Sequence, residues 1–158
     1  MTAGSGIAAS PLPRSFAAIA VGGSIVGVLD LAYAIAVYSP RHPIRIPQAI
    51  ASGVLGVNSF AGGARSAALG VVLHFVIAFG AATVYYLASR KLPFLIHRAV
   101  VSGFLYGALV YVFMHAVVLP LSAAPPSHMP TIYKAFEFVE HWFFVGLPIA
   151  LSVRRYSQ

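Results

Sequence analysis

The sequence predicts an all-α integral membrane protein, a four-helix bundle with a short interfacial or re-entrant half-helix between spans 1 and 2. The chain is 59% apolar and 8% charged, whereas soluble domains are about 45–50% apolar and about 25% charged. Four apolar runs each approach or exceed the roughly 20 residues that a helix needs to cross the hydrocarbon layer. The ten lysines and arginines fall at the ends of these runs, as is typical of membrane-flanking charge.

Composition also excludes several classes of function. The net charge of +7 comes from basic residues that form no stripe with interleaved aromatics, so we expect the lipid bilayer and no nucleic acid as partner. The absence of cysteine excludes disulfides, thiolate metal sites and covalently attached haem. No phosphate-binding loop, G-x-S-x-G motif, H-E-x-x-H motif or dinucleotide fingerprint occurs, so soluble-enzyme chemistry has no support.

The apolar runs define a single membrane domain over residues 16–158. Residues 1–15 are small and polar and contain proline, which predicts a flexible lead. The first apolar run is longer than the core of a signal peptide, so we expect an uncleaved first span. Pro120 is predicted to end the third span, and a loop rich in proline and serine precedes the fourth. The predicted spans cover residues 16–38, 66–88, 99–119 and 133–153.

The segment between the first two spans is apolar but too short to cross. Pro47 suits the start of a helix and Gly62-Gly63 its end, which predicts a half-helix over residues 47–61 lying against the bundle. A mobile amphipathic loop is the alternative. The small residues predicted to form its packing face are Ala49, Ser52, Gly53 and Gly56.

The distribution of basic residues predicts the orientation. With the N-terminus inside, six lysines and arginines lie on the cytoplasmic side and four on the other, and cytoplasmic loops carry the excess of positive charge. We therefore expect both termini in the cytoplasm. The six are Arg14, Arg90, Lys91, Arg98, Arg154 and Arg155, and the four are Arg41, Arg45, Arg65 and Lys134.

The acidic residues occupy an unexpected place. Only three occur, Asp30, Glu137 and Glu140, and two of them lie in the fourth span beside His141. On a helix Glu137, Glu140 and His141 stand at i, i+3 and i+4, so they share one face. The positions predicted to continue this inward face are Phe144 and Pro148. The residues predicted to face lipid are Phe138, Val139, Trp142 and Phe143.

The other spans repeat the design, since each carries one ionisable residue on a face of small residues. Small residues let helix backbones approach closely, which favours helix association in lipid. The ionisable residues are Asp30 in the first span, His74 in the second and His115 in the third. Their companions are Gly23, Gly27 and Ala34; Ala67, Gly70, Ala78, Ala81 and Tyr85; and Gly103, Gly107 and Tyr111.

All six ionisable groups are predicted to lie in one layer of the bundle. At 1.5 Å per residue they are displaced from the midpoints of their spans by roughly 3 to 9 Å. Because helix direction alternates, each displacement is toward the side that carries loops 39–65 and 120–132.

Ionisable groups within a span are costly, so a functional site is the first hypothesis for this layer. Imidazole and carboxylate ligands suit a divalent transition metal, a proton or ion relay uses the same groups, and haem b could bind between His74 and His115. The alternative is a structural role, in which the layer joins helices and the chain is an accessory subunit. A homo-oligomer or a larger membrane complex fits either reading. The candidate metal or relay residues are Asp30, His74, His115, Glu137, Glu140 and His141.

Two stretches resemble an uncharacterised family of small bacterial inner-membrane proteins. They are QAIASGVLGVNSFAGGARSAALGVVLHFVIAFGAATVYYLA and GFLYGALVYVFMHAVVLPLSA, and the likeness covers most of residues 20–125. The resemblance implies four spans in the inner membrane of a bacterium. It implies no activity, no ligand and no catalytic residue.

Overall fold

The computed structural model describes residues 14–127 and 129–157, and the described residues form helices without any strand. The predicted all-α class with four apolar spans is confirmed. The predicted lead lies outside the described residues, except that Arg14 and Ser15 already belong to the first helix. The spans are Arg14–Tyr38 (span 1), Gly63–Ser89 (span 2), Ala99–Leu121 (span 3) and Thr131–Ser157 (span 4).

Span 1 packs against spans 2 and 4, and span 3 packs against span 4. Glycines of span 1 make room for aromatic rings of span 2: a Cβ at Gly23 would overlap the ring of Phe79, and one at Gly27 would overlap the ring of Phe75. This is the close approach that small residues permit between helices in lipid. The predicted packing role of these two glycines is confirmed.

Three glycines bring the backbones of spans 3 and 4 into direct contact. A Cβ at Gly107 would overlap the carbonyl of His141, and a Cβ at Gly146 would overlap the backbone of both Gly103 and Gly107. Leu147 of span 4 also lies close to Gly103, since its Cα would be 2.9 Å from a Cβ placed there. The third span is therefore fixed against the fourth at the level of His141.

The half-helix is confirmed as Arg45–Leu55, followed by a 3-10 turn over Gly56–Ala61. It packs on span 2, where the Pro47 carbonyl occupies the space that a side chain at position 70 would need. The Gln48 amide donates to the Gly63 carbonyl at 3.2 Å. The predicted packing face was wrong at Ala49, which is exposed, because Pro47 and Gln48 make the contacts and turn Ala49 away from span 2.

Two spans contain a π-helical segment that ends two residues before a proline. Met114–Val118 precedes Pro120 in span 3, and His141–Gly146 precedes Pro148 in span 4. Wider turns of this kind accommodate the proline ring and its missing N–H within a membrane helix. The predicted stop at Pro120 was therefore wrong, since span 3 continues to Leu121.

The π-helical segment of span 4 also changes which residues face the bundle. It adds a residue to the turn, so the buried positions after His141 are Val145 and Gly146. Phe144 and Pro148, which regular helical spacing placed inward, are half-buried. The prediction for these two residues was only partly right: the Phe144 ring contacts Tyr33 of span 1 at 5.5 Å between centroids, but the most deeply buried positions are shifted because the turn does not have 3.6 residues throughout.

The apolar core lies at one end of the bundle. We call this the closed end; it holds Arg14, Ser157 and the 90–98 connection, and its buried residues include Tyr85, Ala99, Ile149 and Val153. Tyr85 donates its hydroxyl to the Leu95 carbonyl at 2.9 Å and ties span 2 to the 90–98 connection. The opposite end, which carries residues 39–62, 122–127 and 129–130, we call the open end. The ionisable layer lies toward the open end.

Candidate functional site

A cavity of about 430 Å³ lies among the four spans at the open end, with the half-helix forming part of its wall. Most of its lining is aliphatic. A volume of this size is in the range of small-molecule sites, which are about 300–1,000 Å³. Its ionisable lining residues, tyrosine apart, are Asp30, His74, His115, Glu137 and His141.

His74 joins span 2 to span 1 at the edge of the cavity. Its Nε2 lies 3.0 Å from the Gly27 carbonyl oxygen and 3.8 Å from Oδ2 of Asp30. Gly27 leaves its carbonyl approachable because it carries no side chain, and His74 is predominantly buried. The predicted inward projection of His74 is confirmed.

Asp30, Glu140 and His141 form the tightest group of the layer. One ligand atom from each lies within 4.8 Å of the others, which brings spans 1 and 4 together at this point. Nδ1 of His141 lies 2.8 Å from Oε2 of Glu140 and also 2.8 Å from the Glu137 carbonyl oxygen. If the neutral ring carries its proton on Nδ1 and donates it to these oxygens, Nε2 can accept a second proton or bind a cation.

Glu140 is the most deeply buried acid of the three. Its side chain is 2% exposed, and Oε1 has no hydrogen-bond partner among the described residues. Leaving a buried carboxylate oxygen unpartnered is costly. A proton or a cation bound at Oε1 would remove this cost.

His115 and Glu137 form a second pair, between spans 3 and 4. Nε2 of His115 lies 3.6 Å from Oε2 of Glu137, and their side chains are 31% and 26% exposed. Nδ1 of His115 lies 3.1 Å from the Tyr111 carbonyl oxygen. This pair is more accessible than the group around Glu140.

The two π-helical segments each begin at or beside a histidine of the layer. His115 and His141 both turn Nδ1 toward the carbonyl four residues earlier in their own helix. That bond fixes the ring orientation, as backbone carbonyls do for histidines that bind metals or move protons. π-Helical turns are frequent at functional sites.

Tyr111 connects the two parts of the layer. Its ring stacks on His115 at 4.1 Å between centroids and meets the edge of His141 at 5.4 Å. The sequence placed Tyr111 on the inward face but gave it no part in the site. The i, i+4 spacing of Tyr111 and His115 was the available signal, since such residues are neighbours on a helix.

All three acids of the protein pair with a histidine. The pairs are Asp30 with His74, Glu137 with His115 and Glu140 with His141. Within residues 14–127 and 129–157, no lysine or arginine lies within 4.0 Å of these carboxylates. The structure thus brings together all six residues that the sequence assigned to one layer.

The predicted lipid-facing side of span 4 is only partly right. Val139 and Phe143 are exposed. Phe138 and Trp142 are half-buried because span 3 packs on this side, where the Phe138 ring meets Tyr111 at 5.1 Å.

The two histidines predicted to ligate haem line the same cavity. Their Nε2 atoms already have partners, the Gly27 carbonyl and Asp30 for His74 and Glu137 for His115. Haem would have to displace these contacts, so the geometry gives the haem hypothesis no further support.

The comparisons with known proteins transfer no role to this arrangement. The resemblance to small bacterial inner-membrane proteins stays a prediction. No protein-family model matches the chain, and no curated protein and no solved structure shows significant similarity to it.

Proposed function

We propose that this multi-pass membrane protein takes up and releases protons at the His/carboxylate layer and relays them along the cavity. The observation that carries the proposal is the pairing of every acid with a histidine. A lysine or arginine would hold a carboxylate permanently charged. A histidine partner allows the pair to exist with or without an extra proton near neutral pH.

The gradient of exposure supports a direction for the relay. His115 and Glu137 are 31% and 26% exposed, Asp30 is 23% exposed, and Glu140 is 2% exposed. Protons would enter at His115 and Glu137, reach Glu140 through Asp30 and His141, and leave through a second cavity of about 400 Å³ that Glu140 lines. Aspartate, glutamate and histidine chains of this kind carry protons in membrane proteins.

The test is proton flux in vesicles that contain the purified protein and a trapped pH-sensitive dye. We expect flux driven by a membrane potential, and we expect Glu140→Gln and Asp30→Asn to reduce it at least about tenfold because each removes a protonatable group from the chain. Leu105→Ala is the matched control, since this side chain of span 3 is exposed and, unlike Phe143, lines neither cavity next to the layer. Equal flux in all three variants, or none in the wild type, would refute the relay.

A divalent transition metal is the second candidate ligand, favoured by the unpartnered Oε1 of Glu140. Ligands of a tetrahedral zinc site at about 2.0–2.2 Å are about 3.3–3.6 Å apart, so donor atoms within 4.8 Å of one another would have to approach by up to about 1.5 Å. Two carboxylates and an imidazole suit zinc, iron or manganese. Metal analysis of purified wild type and Glu140→Gln tests this, with a stoichiometric metal lost in the variant as the expected result.

The structural alternative keeps the same pairs as contacts between helices, in an accessory subunit of a larger complex. The cavity beside Asp30 and His74 favours a site over packing alone, because packing needs no space. Absence of flux and of metal, together with a loss of about 0.6 kcal/mol for each deleted contact, would favour the structural role.

We also propose that the protein lies in a bacterial inner membrane, as the resembled family does, with both termini in the cytoplasm. The six-to-four excess of basic residues supports this orientation. The open end would then face outward. Phosphatase fusions should be active in the 122–130 segment and silent at the C-terminus, and the reverse pattern would invert the proposal.

A further inference from the structure

The cavity combines aliphatic walls with a particular set of charges. Asp30 and Glu137 line it and are partly exposed to it, at 23% and 26%. Of the described residues, no lysine or arginine contributes to the lining. An anionic molecule would therefore meet two carboxylates without a fixed positive charge to bind it.

Spans 2 and 3 both line the cavity, but their described backbones make little contact with each other. Near the closed end the two spans meet, where Tyr106 donates its hydroxyl to the Ala81 carbonyl at 2.7 Å. Toward the open end their described backbones do not pack as the other neighbouring spans do. Ile77 of span 2 and Val54 of the half-helix line the cavity there and remain 37% and 63% exposed.

The occupant that suits these walls and charges is an apolar cation. While His74 and His115, the partners of these carboxylates, are unprotonated, a neutral ligand would displace water from Asp30 and Glu137 and leave their charges uncompensated, which is costly in an apolar environment. A hydrated inorganic ion would gain nothing from the aliphatic walls. An organic cation offsets the carboxylates, fills the apolar volume and can interact with the ring of Tyr38, which also lines the cavity.

We infer that the cavity binds lipophilic organic cations, which enter from the bilayer between spans 2 and 3 and exchange with protons on Asp30 and Glu137. The inference rests on the proposed proton exchange and names its counter-substrate. The groups that face Asp30 are His74 from span 2 and Glu140 and His141 from span 4. Glu137 is faced by His115 from span 3.

Cation binding is tested by calorimetric titration of the detergent-purified protein with tetraphenylphosphonium. Tetraphenylborate has the same shape and the opposite charge, and protein-free micelles give the background. Benzyltrimethylammonium is included as a smaller cation. We expect at least one cation to bind saturably and the borate not to bind. Equal binding of phosphonium and borate, or binding of neither cation, would overturn the inference.

Competition with protons gives a second readout. In weak buffer, cation binding should release protons, and affinity should fall as the pH is lowered because protons then occupy the carboxylates. Asp30→Asn should weaken binding at least about tenfold, and Phe143→Ala should leave it unchanged. If Asp30→Asn does not fold, Glu137→Gln replaces it, since this position is partly exposed. Binding without proton release, or unchanged in both carboxyl variants, would refute the exchange.

Infrared spectroscopy of the protein without any cation separates this inference from the proposed function. If the protonated-carboxyl band titrates with pH but no cation binds, the cavity inference fails and proton exchange stands. If the band does not titrate, proton exchange fails too.

Discussion

The two ends of the bundle follow the same sequence rule with opposite results. At the closed end, small residues such as Ala99 and Ala82 bring helices together around Tyr85 and Ile149, which are almost completely buried. At the open end, the faces that carry Asp30 and His115 surround a cavity of about 430 Å³. Small residues on a helix face therefore predict that the face turns inward, but not that it closes.

The open end contains two kinds of element that the described part of the closed end lacks, a half-helix and π-helical segments. The half-helix lies against span 2 through Pro47 and Gly70 and forms part of the cavity wall. The π-helical segments begin beside this layer, at Met114 and His141. Their wider turns place His115 and His141 beside the cavity.

The largest expected effect comes from breaking the contact between spans 3 and 4. Gly107→Val would place a side chain against the His141 carbonyl and the Trp142 backbone, so the spans must separate. Overpacking typically costs about 1–3 kcal/mol, and contact with backbone favours the upper part of this range. Unfolding in denaturing detergent, followed by the fluorescence of Trp142, measures the loss.

Gly80→Val is the matched control for that variant. Gly80 lies within span 2, is exposed, and has no atom within 4 Å of a Cβ placed there. We expect its unfolding to match that of the wild type. Equal destabilisation at both glycines would show that helix propensity, and not the contact between the spans, controls stability.

These elements show how much of the fold and of the site could be predicted from the sequence. The inward faces of Gly27, Gly70 and Gly107 could be predicted because helix association in lipid selects small residues. The change in which residues face the bundle after His141 could not be predicted, because regular helical spacing does not allow for a π-helical turn. Pro120 and Pro148 were the available signal, since a proline inside a span requires a local adjustment of the helix. The cavity depends on how the spans and the half-helix pack, and a single span does not encode this.

A smaller effect on stability and a large one on function are expected from straightening span 4. Pro148→Ala removes the ring that the His141–Gly146 segment accommodates, which favours a regular helix. His141 would then rotate relative to Asp30. Displacement of an active group by about 1 Å can reduce a rate about 100-fold, so proton flux should fall sharply while the unfolding midpoint stays the same or rises. Unchanged flux would separate the π-helical turn from function.

The two histidines considered as haem ligands, His74 and His115, test whether the open end serves function or packing. His74→Ala removes contacts to Gly27 and Asp30, and His115→Ala removes the contact to Glu137. Each should cost about 0.6–1.7 kcal/mol of stability and also reduce proton flux.

Leu105→Ala, at an exposed side chain of span 3, should lower neither stability by a comparable amount nor flux. Phe143 is unsuitable here because its ring contacts Phe104 of span 3 at 5.3 Å between centroids. Loss of stability without loss of flux in both histidine variants would assign the layer to packing.

The smallest expected effect lies at the closed end, at Tyr85. Its hydroxyl donates to the Leu95 carbonyl at 2.9 Å, and its ring meets Tyr106 at 4.9 Å between centroids. Tyr85→Phe keeps the ring contact and removes only the hydrogen bond, so we expect a loss of about 0.6 kcal/mol with proton flux and cation binding unchanged. On one preparation, reconstituted vesicles measure the proton flux and unfolding in detergent measures the stability. A fall in flux here, at the end away from the cavity, would mean that closed-end packing controls the relay, and the functional division between the two ends would have to be abandoned.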